Sequence, residues 1–451
     1  MEMSSRTNRH PTRRTFLECT GSAAAALWAG LSQAEAAQPK VQGKAKSVIL
    51  IFNCGSPSHI DLWDPKPDAP DNIRGEFQTI FTNTAGISVT ELLPELAQRS
   101  DKLAIVRSVH HEHSSHNSGM HWSIVGQPYR ADLTTISPSS TDYPSFGTLT
   151  GWLALRDGYS RAVPPYVITP YPHCDSTVYL TPGQYGGCLG VQYDPFVINA
   201  DPNATDFRVR NMQLVDGLSS ERLQTRLGLL QQLNITRQPA ADEGTQNYDV
   251  RRAQAASMVL SGEAARAFDL SQEPDKVRER YGRHSWGQSH LLARRLVEAG
   301  SRFVTTVNGR SIIWDTHKDN FGRMKKDLVP PMQRAFVALL DDLEERGLLE
   351  TTLVIWMGDF GRTPIINKDA GRDHWPQCYS MVLAGGGIQG GQVIGASDKT
   401  GAYPHSHPVT PADIHATVFA ALGYDPQGIT YQTVDGRPIP LSYGKVIREL
   451  L

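Results

Sequence analysis

The sequence predicts a three-layer α/β/α sandwich around a mostly parallel central sheet. Two observations lead there. Continuous apolar runs of strand length recur along the chain, as expected of parallel strands covered on both faces. Several are separated by segments whose apolar residues lie one helical turn apart and which end at glycine, and such strand-helix alternation builds a parallel sheet between helical layers.

The first strand is read at Ser47 to Phe52, and similar runs follow at Leu103 to Val106 and Tyr166 to Thr169. Further strands are expected at Phe303 to Val307, Leu353 to Met357 and Met381 to Ala384. A helix over His290 to Ala299 places Leu292 and Leu296 on one face, with Gly300 as its stop. Met332, Phe336, Leu339, Leu340 and Leu343 form the apolar stripe of a second helix, preceded by Pro330 and Pro331 and followed by Gly347. Thr410-Pro411-Ala412-Asp413 reads as an N-cap with proline at the first helical position, and Gly423 ends that helix. Residues 206–281 are polar and helical in pattern, an expected helical insertion within a single α/β domain spanning 44–451. Gly385-Gly386-Gly387-Ile388-Gln389-Gly390 matches a dinucleotide-binding pattern, but Gln392 to Gly395 reads as a strand where that fold needs a helix. A turn is therefore expected there.

Residues 1–36 are set apart as a targeting segment. Thr12-Arg13-Arg14-Thr15-Phe16-Leu17 reads as a twin-arginine export signal, followed by an apolar stretch from Gly21 to Leu31 and a cleavage site at Ala34-Glu35-Ala36. The stretch is too short and alanine-rich to cross a hydrocarbon layer of about 30 Å. The mature chain is expected in the periplasm or outside the cell, without a membrane span. Such a compartment permits disulfides, and two readings stand for Cys174 and Cys188: a bridge contributing on the order of 3 kcal/mol, or unrelated buried thiols. A net charge of −2 argues against a nucleic-acid surface.

Carboxylates and imidazoles collect where strands should end, which is where open α/β sheets bind ligands. Trp314-Asp315-Thr316-His317 follows one strand, and Gly358-Asp359-Phe360-Gly361-Arg362 and Gly371-Arg372-Asp373-His374-Trp375 follow another. Oxygen from aspartate with nitrogen from histidine is the donor mixture of a divalent metal site. A stretch dense in histidine runs from His110 to His121; within it His113, His116 and His121 are candidate ligands, and Ser118 is a candidate nucleophile. His59 and Asp61 directly follow the first strand and lie near the same crevice. Arg362 is placed either to clamp an anionic substrate or to pair with Asp359 or Asp373.

The run from Glu344 to Ile355, followed by Gly358-Asp359, resembles the alkaline phosphatase superfamily, whose phosphodiesterase and sulfatase branches end this strand in Asp-His-Gly or Asp-Asn-Gly. The segments Ser58 to Pro67, Gly358 to Pro364, Gly371 to Trp375 and Ala384 to Ile388 resemble a related family of exported bacterial proteins of unknown function, of the DUF1501 type. The resemblance covers nearly the whole mature chain and implies an alkaline phosphatase/sulfatase-like fold. It implies that Asp315, His317 and His374 are ligands of one metal and that Asp359 corresponds to a second-metal aspartate. This chain departs from the pattern at Phe360, where histidine or asparagine would follow, and at Asn53, where the superfamily carries a first-strand aspartate. Asp61 is then the nearest carboxylate. Cys54-Gly55-Ser56-Pro57-Ser58 resembles the formylglycine motif with one residue too many and on the wrong strand, and the sulfatase nucleophile position falls on His116. A formylglycine sulfatase is not expected.

The resulting expectation is an exported, metal-dependent hydrolase of phosphate or sulfate esters. Its metal set is Asp315, His317, Asp359, His374, His113 and Asp61, and its catalytic candidates are His116, Ser118 and Arg362. The cofactor is a divalent ion such as zinc, manganese, calcium or iron, and the substrate a small anionic ester or a sulfated or phosphorylated glycan. The alternative is a non-catalytic scaffold of the same fold that binds a glycan or an envelope partner.

Overall fold

The computed structural model describes residues 43–175, 179–209, 218–236, 252, 255–256, 258–260 and 262–451. The export signal expected over residues 1–36 lies outside the described residues. In chain order the elements that build the site are β1 (Ser47–Asn53), β2 (Leu103–Val109), α1 (His116–Val125), α2 (Phe146–Arg156), β3 (Tyr166–Thr169) and β4 (Phe196–Val197). They continue with α3 (Ser285–Glu298), β5 (Phe303–Asn308), α4 (Val329–Glu345), β6 (Thr352–Gly358), β7 (Tyr379–Gly385), β8 (Gln392–Ile394) and α5 (Pro411–Ala421).

The eight strands form one sheet in the order β8-β2-β7-β6-β1-β5-β3-β4. Its strands run parallel except β7, which is antiparallel to both β2 and β6. Alternate residues of the central strand feed different layers. Ile49 and Ile51 join a core with Leu292 and Leu296 of α3 and Met332, Phe336 and Leu340 of α4. Val48, Leu50 and Phe52 join the opposite core with Met120 and Ile124 of α1, Leu149 of α2 and Ile414 and Val418 of α5. The expected three-layer sandwich with a mostly parallel sheet is therefore the observed architecture.

Helix ends depart from expectation for identifiable reasons. α3 starts a turn before His290, because His284 caps it by accepting from the Gly287 N–H at 3.2 Å. α4 takes Pro330 and Pro331 into its first turn, where a proline lacks nothing the helix needs. α5 carries the full capping box, Thr410 and Asp413 bonding each other's backbone. Gly385, Gly386 and Gly387 all have positive φ and turn the chain from β7 toward β8. Of the stretch 206–281, the described helices are Ser220–Thr236, Glu263–Phe268 and Asp275–Tyr281; residues 210–217 and 237–251 lie outside the described residues.

Cys174 and Cys188 are not bridged. The Cys174 thiol instead donates to the Arg310 carbonyl at 2.8 Å, which corrects the disulfide alternative. No described helix is long and apolar enough to cross a membrane.

Leu340 is fully enclosed in the core between α4 and the sheet. Leu340→Ala should lower the unfolding free energy by about 2–5 kcal/mol, measured by chemical denaturation.

Candidate metal centre

Three central strands end at one level. Asn53 of β1 sits opposite both Asn308 of β5 and Gly358 of β6. Asn308 donates to the Asn53 side chain at 3.0 Å, and Asn53 donates to the Met357 carbonyl at 3.0 Å. Polar side chains thus tie the strand tips together just where the loops leave. β6 delivers Asp359 directly, and the Gly55 N–H donates to both of its carboxylate oxygens at 3.0 and 3.3 Å. Gly55 is required for this approach: its φ is +98°, and a Cβ there would lie 2.6 Å from the Ile312 carbonyl oxygen.

α1 enters from the other side with His116 at its first position. Asp132 organises the preceding turn, accepting from the N–H groups of Ser114 and Ser115 at 2.9 and 2.8 Å. The His116 Nδ1–H donates to Asp359 at 2.5 Å, while its Nε2 lies 3.5 Å from Asp315 without a hydrogen bond. Phe360 stacks on the His116 ring with centroids 5.0 Å apart. It is backed by Gly119, where a Cβ would lie 2.6 Å from the Phe360 ring.

Asp315 is the meeting point. His317 Nε2 lies 3.1 Å and His374 Nε2 3.3 Å from its Oδ1, and the two Nε2 atoms are 3.1 Å from each other. The other ring nitrogens fix the tautomers. His374 Nδ1–H donates to the Ser114 carbonyl at 2.6 Å, and His317 Nδ1–H donates to Asp373 at 2.5 Å. All three imidazoles therefore place their Nδ1 protons on oxygen acceptors and turn Nε2 toward Asp315. Metal-ligating histidines are oriented in this way by carbonyl or carboxylate partners.

The electrostatics follow from this crowding. Burial opposes charge on His116, but the Asp315 and Asp359 carboxylates outweigh it and hold its pKa up at about 9. Burial likewise opposes charge on Asp315, yet His116, His374 and the Arg362 guanidinium hold its carboxyl far below the usual range. Burial lowers the His374 pKa, against the pull of Asp315. Without a metal, protons must separate the facing nitrogens. A divalent cation fits the same place: ligand atoms of His116, Asp315 and His374 lie within 4.8 Å of one another, and His116 Nε2 is a buried nitrogen with no hydrogen bond. Imidazole nitrogen with carboxylate oxygen suits zinc, manganese or iron.

The structure thus gathers Asp315, His317, His374 and His116, with Asp359 reaching the group through His116. Other expected residues lie elsewhere. Asp61 is buried and accepts from Arg372 at 2.7 and 2.9 Å and from Asn320 at 2.9 Å, so its oxygens are already engaged. His113 turns its ring edge-on to Trp122, 4.8 Å between centroids, and His121 packs against Tyr129 at 5.0 Å. The Ser118 hydroxyl donates to Asp132 at 2.7 Å and lies 3.1 Å from the Ser115 carbonyl, which makes it part of the turn before α1. Arg362 is fully buried. It donates to Asp315 at 2.5 Å and to the Ser56 carbonyl at 2.9 Å, tying the β1 exit to the centre instead of clamping a ligand. Asp175, singled out by no motif, is largely buried and feels the charges of His116, Asp359, Asp315 and His374. Its only sequence signal was its place shortly after a strand end.

Asp61→Asn leaves the Arg372 charge buried without its partner. Unfolding free energy should fall by about 3–5 kcal/mol in denaturant titration, while metal content stays that of the parent protein.

Solved structures similar to this chain include a protein in the alkaline phosphatase superfamily from Vibrio parahaemolyticus, 11% identical over 86% of this chain and 69% of that one, with a TM-score of 0.40. Another is the PsFucS1 sulfatase from Pseudoalteromonas sp., 11% identical, covering 92% and 72%, TM-score 0.36. A third is the phosphonate monoester hydrolase SpPMH from Silicibacter pomeroyi, 12% identical, covering 90% and 76%, TM-score 0.37. No curated protein matches the sequence. The family described as "Protein of unknown function (DUF1501)" matches residues 45–451, and the chain belongs to that family.

Proposed function

We propose that this protein is an exported, metal-dependent hydrolase of phosphate or sulfate esters, with a sulfated or phosphorylated glycan as a fitting substrate class. One observation carries the reading: three imidazoles with their Nδ1 protons engaged elsewhere turn Nε2 toward the single carboxylate of Asp315. The motif resemblance of Asp315, His317 and His374 to superfamily ligands points the same way.

In this reading His116, Asp315 and His374 hold the ion, and His317 is the fourth donor. A divalent ion held there would supply Lewis-acid chemistry toward an ester oxygen and an attacking water. Asp359 orients His116 through Nδ1, and Asp373 does the same for His317. Arg362 keeps Asp315 ionised and fixed to the β1 exit.

A second reading, a non-catalytic scaffold that binds a glycan or envelope partner, is favoured by Phe360. Its ring lies against His116 and against His374, whose centroid is 4.8 Å away, and it occupies the position where the superfamily places a second-metal ligand.

Plasma mass spectrometry on the natively produced protein should find zinc, manganese or iron, and Asp315→Ala and His374→Ala should each lose it while keeping the circular dichroism of the fold. Asp373→Asn should weaken metal affinity about 10- to 100-fold. Full metal retention in both alanine variants would rule the assignment out. Metal-loaded protein inert toward phosphate monoesters, diesters and sulfate esters would favour the scaffold.

Export is proposed on the Arg13-Arg14 motif and the Ala34-Glu35-Ala36 site. Replacing both arginines by lysine should leave unprocessed protein in the cytoplasm on fractionation; unchanged export would remove this part of the proposal.

A further inference from the structure

Beyond β3, residues 174–175 and 179–181 lie side by side between the two arms of the candidate centre: Cys174 and Leu180 form a bridge, and the Asp175 N–H donates to the Tyr179 carbonyl at 3.2 Å. On one side stands Asn117, the neighbour of His116. It donates to the Tyr179 carbonyl at 3.3 Å and accepts from the Thr181 hydroxyl at 3.1 Å. On the other side runs the loop that leads to Asp315. There the Ser311 hydroxyl donates to the Asp175 carbonyl at 2.5 Å, and the Cys174 thiol donates to the Arg310 carbonyl at 2.8 Å. Backbone and side-chain bonds therefore hold Asp175 between the residues that carry His116 and Asp315.

The Asp175 side chain is unlike the other carboxylates of the centre. Asp315 is bound by Arg362, and Asp359 by Gly55 and His116. Asp175 is 7% exposed, yet its carboxylate receives no hydrogen bond among the described residues. A carboxylate so placed is costly to keep ionised without donors. Burial raises its pKa, and His116, Asp359, Asp315 and His374 are the charges that act on it. Two other candidates are committed elsewhere: Ser118 donates to Asp132, and Arg362 is buried against Asp315.

We infer that Asp175 is the proton donor to the leaving oxygen of the ester. This rests on the hydrolase reading above. The bond from phosphorus or sulfur to the leaving oxygen breaks, and its electron pair goes to that oxygen. The oxygen takes the Asp175 carboxyl proton and departs as an alcohol. Water supplies the new oxygen on phosphorus or sulfur; one of its protons restores the Asp175 carboxyl, and the other leaves with the acid product.

The test compares Asp175→Asn with the parent on an alkyl ester and a 4-nitrophenyl ester of the same acid, with metal content measured alongside. The alkyl ester, whose leaving oxygen needs a proton, should lose about 10²- to 10⁴-fold in kcat/KM. The 4-nitrophenyl ester, whose oxygen leaves as a stable anion, should change only a few-fold, and metal content should not change. Asp175→Ala removes the same proton and should give the same split if the asparagine variant does not fold. Equal losses on both esters would overturn the inference, and so would loss of metal, which would make Asp175 a ligand. Metal-loaded parent protein that turns over neither ester would sink the hydrolase reading and this role together; a failure confined to the variants leaves that reading standing.

Discussion

The carboxylate of Asp315 is the interaction on which the centre depends. Arg362 donates to it, and three imidazoles face it from α1, from its own loop and from the loop beyond β6. None of these groups is near another in sequence except His317. They meet because β1, β5 and β6 end at one level and release their loops into the same crevice. Positive and neutral nitrogens around one anion give an arrangement that is stable only while a cation, proton or metal, stands between the facing nitrogens. The rest of the local structure serves that arrangement. Gly55 admits the loop backbone, Asp359 and Asp373 set the tautomers, and Arg362 anchors the carboxylate from beneath.

Phe360 defines what kind of centre this is. An aromatic ring beside two of the imidazoles excludes water from one side and strengthens the charge interactions there. The Asp359 carboxylate orients His116 and receives the Gly55 N–H. The hydrogen bonds around His116, Asp315 and His374 describe one cluster of candidate donors.

Much of the fold was legible because its central strands are covered on both faces and so read as unbroken apolar runs; β1, β5 and β6 are buried along their whole length. Asp359 was legible for a related reason, since a polar residue that directly follows such a strand must emerge at the sheet edge, whereas Asp315, His317 and His374 lie further along the loops and stood out by their motifs. Roles were harder. Arg362 and Arg372 look alike in sequence, yet one binds Asp315 and the other Asp61, a choice made by loops that fold back from distant parts of the chain. Ser118 and His113 share a stretch with His116, but on a helix entered at His116 only that residue points across the sheet edge, and its neighbours face Asp132 and Trp122. Asp175 carried no motif at all. Its position depends on hydrogen bonds to Asn117 and Ser311, which no local pattern announces.

A crystal structure of the metal-loaded protein, with anomalous difference density collected at the absorption edge of the bound metal, tests the central claim most directly. The account predicts one ion within bonding distance of Asp315 and of the Nε2 atoms of His116 and His374, with Nδ1 of each ring still on its oxygen partner. An ion bound through other residues, or a metal-saturated solution that leaves the Asp315 cluster without density, would contradict it.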